Sequence, residues 1–316
     1  MGYFYALLAA ALFGLNGSLT LVVVEAGLSA AQLTLFRVAA AAIISGIFLL
    51  VRNRAAFRVT PTQLAILAVL GVLGVALLQF TYAVAITLLP VGIALLLEYI
   101  AVLLVALVAF FVFREQVKRR LWVAIGCVLV GLALVAQIWA SELNPLGVLF
   151  AFLAATMLTI YFVIGEREVG KTSPMAVAFW TMSFATVFWL FFSGWWTIDP
   201  AIFTETVSLS GNLDALSVPF WSALLWNMVM GSFAPFFLSL VALKYLSATA
   251  AGVVASSEVL FAFLVAWLWL GQGLGPLQTV GAAIVLVGIV LAQTARVNKV
   301  VDADLALSDG PEQPLV

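Results

Sequence analysis

The sequence predicts an all-α integral membrane protein of ten transmembrane helices, arranged as two inverted five-helix repeats with both termini cytoplasmic. Composition is the first reason: 66% of residues are hydrophobic and 9% charged, with a mean hydropathy of +1.24, whereas soluble domains carry about 25% charge. Internal duplication is the second. Pro90 to Ala101 aligns without a gap on Ser247 to Glu258, an offset of 157. The same offset sets Arg114-Glu115 on Gly271-Gln272 and Gly131 on Gly288. The third reason is the placement of basic residues.

A hydrocarbon core about 30 Å thick takes roughly 20 apolar residues per helix, so 316 residues with short links leave room for about ten spans. The alternating short strands of a β-barrel are absent. The apolar run from Tyr3 to Val24 lacks a basic flank and exceeds a signal-peptide core, so it is expected to stay as the first span. Spans are expected at 3–24, 30–51, 62–87, 91–113, 119–139, 145–165, 174–196, 218–241, 248–270 and 276–296. Turn chemistry separates them at Glu25 to Ser29, Leu88 to Pro90, Glu142 to Pro145 and Gly271 to Pro276. Thr197 to Ser217 reads as a polar loop, with Trp195 and Trp196 as interfacial anchors at the span end. The first repeat covers 1–140 and the second 141–297; the acidic tail 298–316 is expected to be disordered.

Orientation follows from the retention of Lys and Arg in cytoplasmic loops. With the N-terminus inside, every basic residue except Arg37 is cytoplasmic, while the external loops hold Glu25, Glu142, Asp199, Glu205 and Asp214. An odd number of spans per half then threads the second half upside down. Arg114, Lys118, Arg119 and Arg120 follow the fourth span, whereas the link after the ninth carries no basic residue. An inverted repeat of this kind is a signature of secondary transporters, which bind substrate near the midplane.

Composition also excludes classes of function. There is no histidine, and Cys127 is the single cysteine, so no disulfide, cysteine metal site or histidine base is available. A net charge of −1 without a basic cluster excludes a nucleic-acid surface. No cofactor and no catalytic or metal-binding residue is implied, and the chain is not expected to be an enzyme.

Ala242 to Ala251, Ser256-Ser257-Glu258 and the Gly281 to Gly288 helix, set in two five-span halves, resemble the drug/metabolite transporter superfamily of the EamA type over residues 3–296. Within it, Gly92 to Tyr99 and the exit Phe113-Arg114-Glu115 resemble the YddG-type exporters of aromatic amino acids. The resemblance implies a multi-pass protein of the bacterial inner membrane, monomeric or homodimeric, surrounded by lipid and carrying a small-molecule substrate. Two departures stand out. Val102 and Val259 occupy positions where proline is frequent, and Gln272 one where glutamate is frequent, which weighs against carrying over a family-wide kinking motion.

Three ionisable groups lie deep in spans: Arg37, Glu98 and Glu258. Each costs roughly 2.5–3.5 kcal/mol there, so such groups face a cavity or one another. Glu98 shares a helix stripe with Ala94, Ala101 and Val105, and Glu258 shares the equivalent one with Ala251, Ala255 and Ala262. A rise of ~1.5 Å per residue puts all three at about 12–14 Å from the external surface. Either the carboxylates bind a substrate ammonium or carry protons while Arg37 addresses a carboxylate, or Arg37 forms a structural ion pair with one glutamate. Mid-span Asn16, Gln79, Tyr82, Tyr99, Thr159, Tyr161, Asn227, Ser256 and Ser257 are candidates for the same cavity or for interhelical hydrogen bonds. Tyr82 and Tyr99 add rings on which an aromatic substrate would stack. The glycine pairs Gly71 with Gly74 and Gly126 with Gly131 read as helix packing.

The function expected is export of small amphipathic metabolites, amino acids including aromatic ones foremost, by alternating access through a central cavity. A drug or other metabolite carrier of the same superfamily is the alternative within transport, and a non-transporting membrane scaffold the alternative outside it.

Overall fold

A computed structural model of the protein describes residues 1–112, 119–136, 143–169, 171–242 and 254–295. It is a helical bundle. Among the described residues, six helices are long and apolar enough to cross a membrane: Gly2–Glu25, Ala30–Arg52, Pro61–Leu88, Pro145–Gly165, Met175–Phe192 and Phe220–Ser239. Shorter apolar helices, Val91–Val105, Trp122–Val135, Ser257–Leu270 and Pro276–Leu291, fall on the remaining expected spans. The fourth, fifth, ninth and tenth expected spans extend beyond the described residues, as does the tail at 298–316.

Helix starts follow their capping chemistry. Helix α1 (Gly2–Glu25) leads into α2 (Ala30–Arg52), where Ser29 and Gln32 exchange side-chain and backbone bonds in a capping box. Thr60 and Gln63 repeat the device at α3 (Pro61–Val69), with Pro61 in the first turn. Asn144 Oδ1 accepts from the Leu146 backbone N–H at 2.9 Å as the helix Pro145–Val169 begins. Gly271, at φ 69°, closes the helix before it in the left-handed region.

The third span is not a uniform α-helix. Between α3 and α4 (Leu78–Leu88) the backbone widens into a π-helix over Leu70–Leu77. In the eighth span a second π-helix, Val229–Phe233, separates α10 (Phe220–Met228) from α11 (Ala234–Ala242). At the offset of 157 its equivalents are residues 72–76, inside the first π segment. The fourth span also divides, into α5 (Val91–Glu98) and α6 (Ala101–Phe111). At the break the Ile100 N–H donates to Leu97 O at 3.2 Å, a tighter turn than the α-helical one. Ser256, the equivalent of Tyr99, marks the same interruption before α12 (Ser257–Leu270). Neither break has a proline within it, so the valines at 102 and 259 do not straighten these helices.

The remaining helices are α7 (Arg120–Ala136), α8 (Pro145–Val169), α9 (Pro174–Phe192) and α13 (Pro276–Ala295). Helix α1 packs on α11 and α12, and α8 on α4, α5 and α6. Helix α2 packs on α9, α7 on α13, and α5 on α12. Directions differ between the halves. Helix α1 runs toward the end of the bundle that carries Gln272, whereas α8 starts there, with Gly147 against Leu88 and Leu89.

That end carries the segment expected as a polar loop, which is ordered. Strands β1 (Thr206–Ser208) and β2 (Ser217–Pro219) pair antiparallel, Val207 opposite Val218. Trp269 Nε1 donates to Leu209 O at 2.6 Å, and Asn212 Nδ2 donates to Leu268 O at 3.1 Å. The hairpin thus satisfies carbonyls left open at the end of α12. Trp195 and Trp196 are exposed beside it. At the opposite end Phe57 meets Phe179 with centroids 5.0 Å apart, bringing Arg52, Arg54 and Arg58 to the side of Lys171.

The glycine expectations divide. A Cβ on Gly71 would lie 2.5 Å from Thr181 O, and one on Gly74 would lie 3.1 Å from Tyr161 Cα, so both permit close helix approach. Gly131 and Gly281 face one another across α7 and α13, each Cβ position 2.7 Å from the other's carbonyl oxygen. Gly126 has nothing within 4 Å, so it is not a packing glycine. Gly131→Val is therefore expected to lower the thermal midpoint in detergent, overpacking costing about 1–3 kcal/mol. Gly126→Ala is expected to leave it unchanged or raise it, since alanine favours a helix by about 0.5–1 kcal/mol. Equal effects of the two would count against the α7–α13 contact.

Candidate functional site

The three deep charges converge. Arg37 on α2 and Glu98 at the end of α5 are both buried, and Glu258 in the first turn of α12 is partly buried. Arg37 acts electrostatically on Glu98 and on Tyr82, and Glu258 acts on Glu98 and on Tyr82. No nitrogen of Arg37 lies within 4.0 Å of either carboxylate, so the structural ion pair is absent. Its Nε donates instead to Ser232 Oγ at 2.9 Å, and Ser232 Oγ donates to Asn227 O at 3.3 Å. Ser232 lies in the second π-helix, whose widened turn carries this anchor.

The two glutamates differ. Glu258 Oε2 accepts a 2.5 Å hydrogen bond from the Tyr99 hydroxyl, which joins the two halves of the chain. Glu98 accepts no hydrogen bond among the described residues, and its Oε2 is wholly buried. An unbonded buried carboxylate oxygen is expensive.

Tyr82 stands over α1, where a Cβ on Gly17 would come within 2.5 Å of its hydroxyl and 2.6 Å of Val91 Cγ1. Next to Gly17, Asn16 lies against Gly231, where no Cβ fits. One turn along α1, Thr20 Oγ1 accepts from Asn227 Nδ2 at 3.0 Å. Asn16 Oδ1, Asn227 Oδ1 and, on α4, Gln79 Oε1 are buried with no hydrogen-bond partner among the described residues.

Other predicted residues stand apart. Thr159 donates to Ala155 O of its own helix at 2.7 Å, with Ala101 O at 3.5 Å. Ser257 donates to Val254 O at 2.6 Å. Tyr161 packs over Gly74 and joins the apolar cluster of Leu67, Leu70 and Val177. Sequence reasoning missed Thr20, Ser232 and the two close-approach glycines, Gly17 and Gly231. The neighbouring Asn16-Gly17 pair was the available signal for one side of that contact. Elsewhere, a cavity of about 510 Å³ opens at the hairpin end, lined by Ser29, Gln32, Asp199 and Glu205 among others.

A multi-pass helical bundle that buries two carboxylates and a guanidinium at its centre is the architecture of a membrane transporter. The chain belongs to the EamA-like transporter family, which it matches over residues 1–137 and again over 145–294. This places it in the drug/metabolite transporter superfamily. It is 27% identical over 228 residues to an uncharacterized transporter of Archaeoglobus fulgidus, covering 70% of this chain and 75% of that one. It is 25% identical over 228 residues to Protein PecM of Dickeya dadantii, covering 72% and 73% of the two chains. A solved crystal structure aligns with a TM-score of 0.60 over 92% of this chain and 94% of its own, at 18% identity, a likeness of fold.

The Asn227–Thr20 bond gives a test of the packing that frames the charges. Asn227→Ala is expected to lower stability by roughly 1–3 kcal/mol, a buried hydrogen bond being lost, read as a lower thermal midpoint in detergent. Thr156→Ala, on an exposed face of α8, should change it little.

Proposed function

We propose that the protein exports small amphipathic metabolites, amino acids including aromatic ones foremost, in the manner of the YddG-type exporters. The observation that carries this reading is the separation of Arg37 from Glu98. Both are buried and in electrostatic range, yet each is unpaired with the other. The terminal amines of the guanidinium and the Glu98 carboxylate have no hydrogen-bond partner among the described residues. Opposite charges held apart in this way suit a zwitterion, with its carboxylate at Arg37 and its ammonium at Glu98 and Glu258. Tyr82 and Tyr99 supply rings for an aromatic side chain, and Asn16, Gln79 and Asn227 supply acceptors. Thr159, Tyr161 and Ser257 contribute through packing and local bonds around that group.

Transport by alternating access of two inverted repeats, 1–140 and 141–297, is part of the proposal, with 298–316 as a cytoplasmic tail. Support comes from the packing: exchanging the first five spans with the last five turns the α1–α12 contact into α8–α6, and α1–α11 into α8–α4, while α2–α9 and α7–α13 map onto themselves. The opposed directions of α1 and α8 and the equivalent π segments agree with it. The basic end, with Arg52, Arg54, Arg58 and Lys171, is then cytoplasmic and the hairpin end external, in a bacterial inner membrane.

Purified protein in vesicles should accumulate labelled phenylalanine or tryptophan in counterflow. Glu98→Gln and Arg37→Ala are each expected to reduce that flux about 10- to 100-fold, the loss of a charged hydrogen bond being worth roughly 1.5–3 kcal/mol. Flux of an unrelated solute without amino-acid flux would turn the reading to another metabolite or drug carrier, and no flux of any solute would favour a scaffold.

A further inference from the structure

The contact between α5 and α12 is a continuous seam on the hairpin side of the charged group. At its outer end the Val91 backbone N–H donates to Gln272 Oε1 at 2.9 Å, so the exit loop of α12 caps the start of α5. Next inward, Phe263 covers Gly92 so closely that no Cβ fits beneath its ring. Leu96, one turn from both Gly92 and Tyr99 on the same face of α5, is fully buried between them. At its inner end the Tyr99 hydroxyl donates to Glu258 Oε2 at 2.5 Å. The seam stops where the helices break, at Tyr99-Ile100 and at Ser256. Beyond that point α6 packs on α8 and α13.

The innermost bond of the seam therefore uses a carboxylate that also faces the charged group. Tyr99 and Glu98 are adjacent in sequence, and Glu98, with no hydrogen bond among the described residues, lies within electrostatic range of the carboxylate that Tyr99 occupies. We propose that Glu258 serves two donors in turn: the Tyr99 hydroxyl while the hairpin side is sealed, and the ammonium of the substrate when it opens. Tyr99 is then a positioning residue that holds the pathway shut by occupying a substrate ligand. The second half of this inference rests on the amine-binding reading above; the seal itself does not.

The test uses the full chain carrying Cys127→Ser, which removes the single native thiol, and Leu96→Cys on the seam face of α5. A membrane-impermeant thiosulfonate reagent is added on the hairpin side of sealed vesicles, where labelling requires the seam to part. Tyr99→Phe, which deletes only the donor, is expected to raise the labelling rate about tenfold or more. Gln272→Ala, at the outer end, should raise it as well. In the same vesicles Tyr99→Phe is expected to lower the half-saturation concentration for phenylalanine, since no hydroxyl then competes for Glu258, and Glu258→Gln to raise it. A structural role alone would change the amount of active protein and leave half-saturation unmoved. Unchanged labelling in Tyr99→Phe, in protein that melts with its parent, overturns the seal. A raised or unmoved half-saturation in Tyr99→Phe overturns the shared acceptor. Faster labelling in a parent that carries no phenylalanine leaves the seal standing and overturns the amine-binding half.

Discussion

Charge buried in hydrocarbon is the constraint on which the rest of this structure depends. A carboxylate or guanidinium at the centre of a membrane helix costs several kcal/mol unless other groups solvate it. The chain meets that cost differently for each of its three charges. Arg37 leans on Ser232, Glu258 on Tyr99, and Glu98 on nothing within the described residues. Two charges are thus held by described side chains, and the third is not.

Backbone irregularity makes that arrangement possible. A spanning helix satisfies its own amides, and departures are tolerated only where protein or a cavity surrounds them. The π-helices at Leu70–Leu77 and Val229–Phe233 lie within the bundle. The second brings Gly231 against Asn16 and Ser232 toward Arg37. The breaks after Glu98 and at Ser256 leave Tyr99 and Glu258 at the ends of short helices that are free to differ in direction from their continuations. Glycine at 17, 92 and 231 removes the side chains that would hold these elements apart.

The two ends of the bundle are built unlike each other. At one end Asn212 of the paired hairpin caps α12, the Trp269 indole of α12 donates to the hairpin carbonyl of Leu209, and Gln272 caps α5. Polar side chains there replace the water that would otherwise bond the helix termini. That end also departs from what a polar, turn-rich stretch suggests. Thr197 to Ser217 is structured because its backbone bonds to helix ends distant in sequence, which local composition does not reveal.

Much of this was legible in the sequence. Hydropathy fixed where helices lie, since roughly 20 apolar residues have no other stable form in lipid; turn residues marked the links between them; and the rarity of charge singled out Arg37, Glu98 and Glu258. The helical repeat put the two glutamates on corresponding stripes, although it offered an Arg–Glu pair where the structure has Arg37–Ser232 and Tyr99–Glu258. Tertiary structure alone decided those partners. It also decided that Gly131 packs while Gly126 does not, that Thr20 meets Asn227, and that the fourth and ninth spans break without proline at the break. The physical reason is one of range. Partition into the membrane is a property of a single segment, whereas a hydrogen bond within 3 Å depends on how two helices distant in sequence rotate and slide against each other.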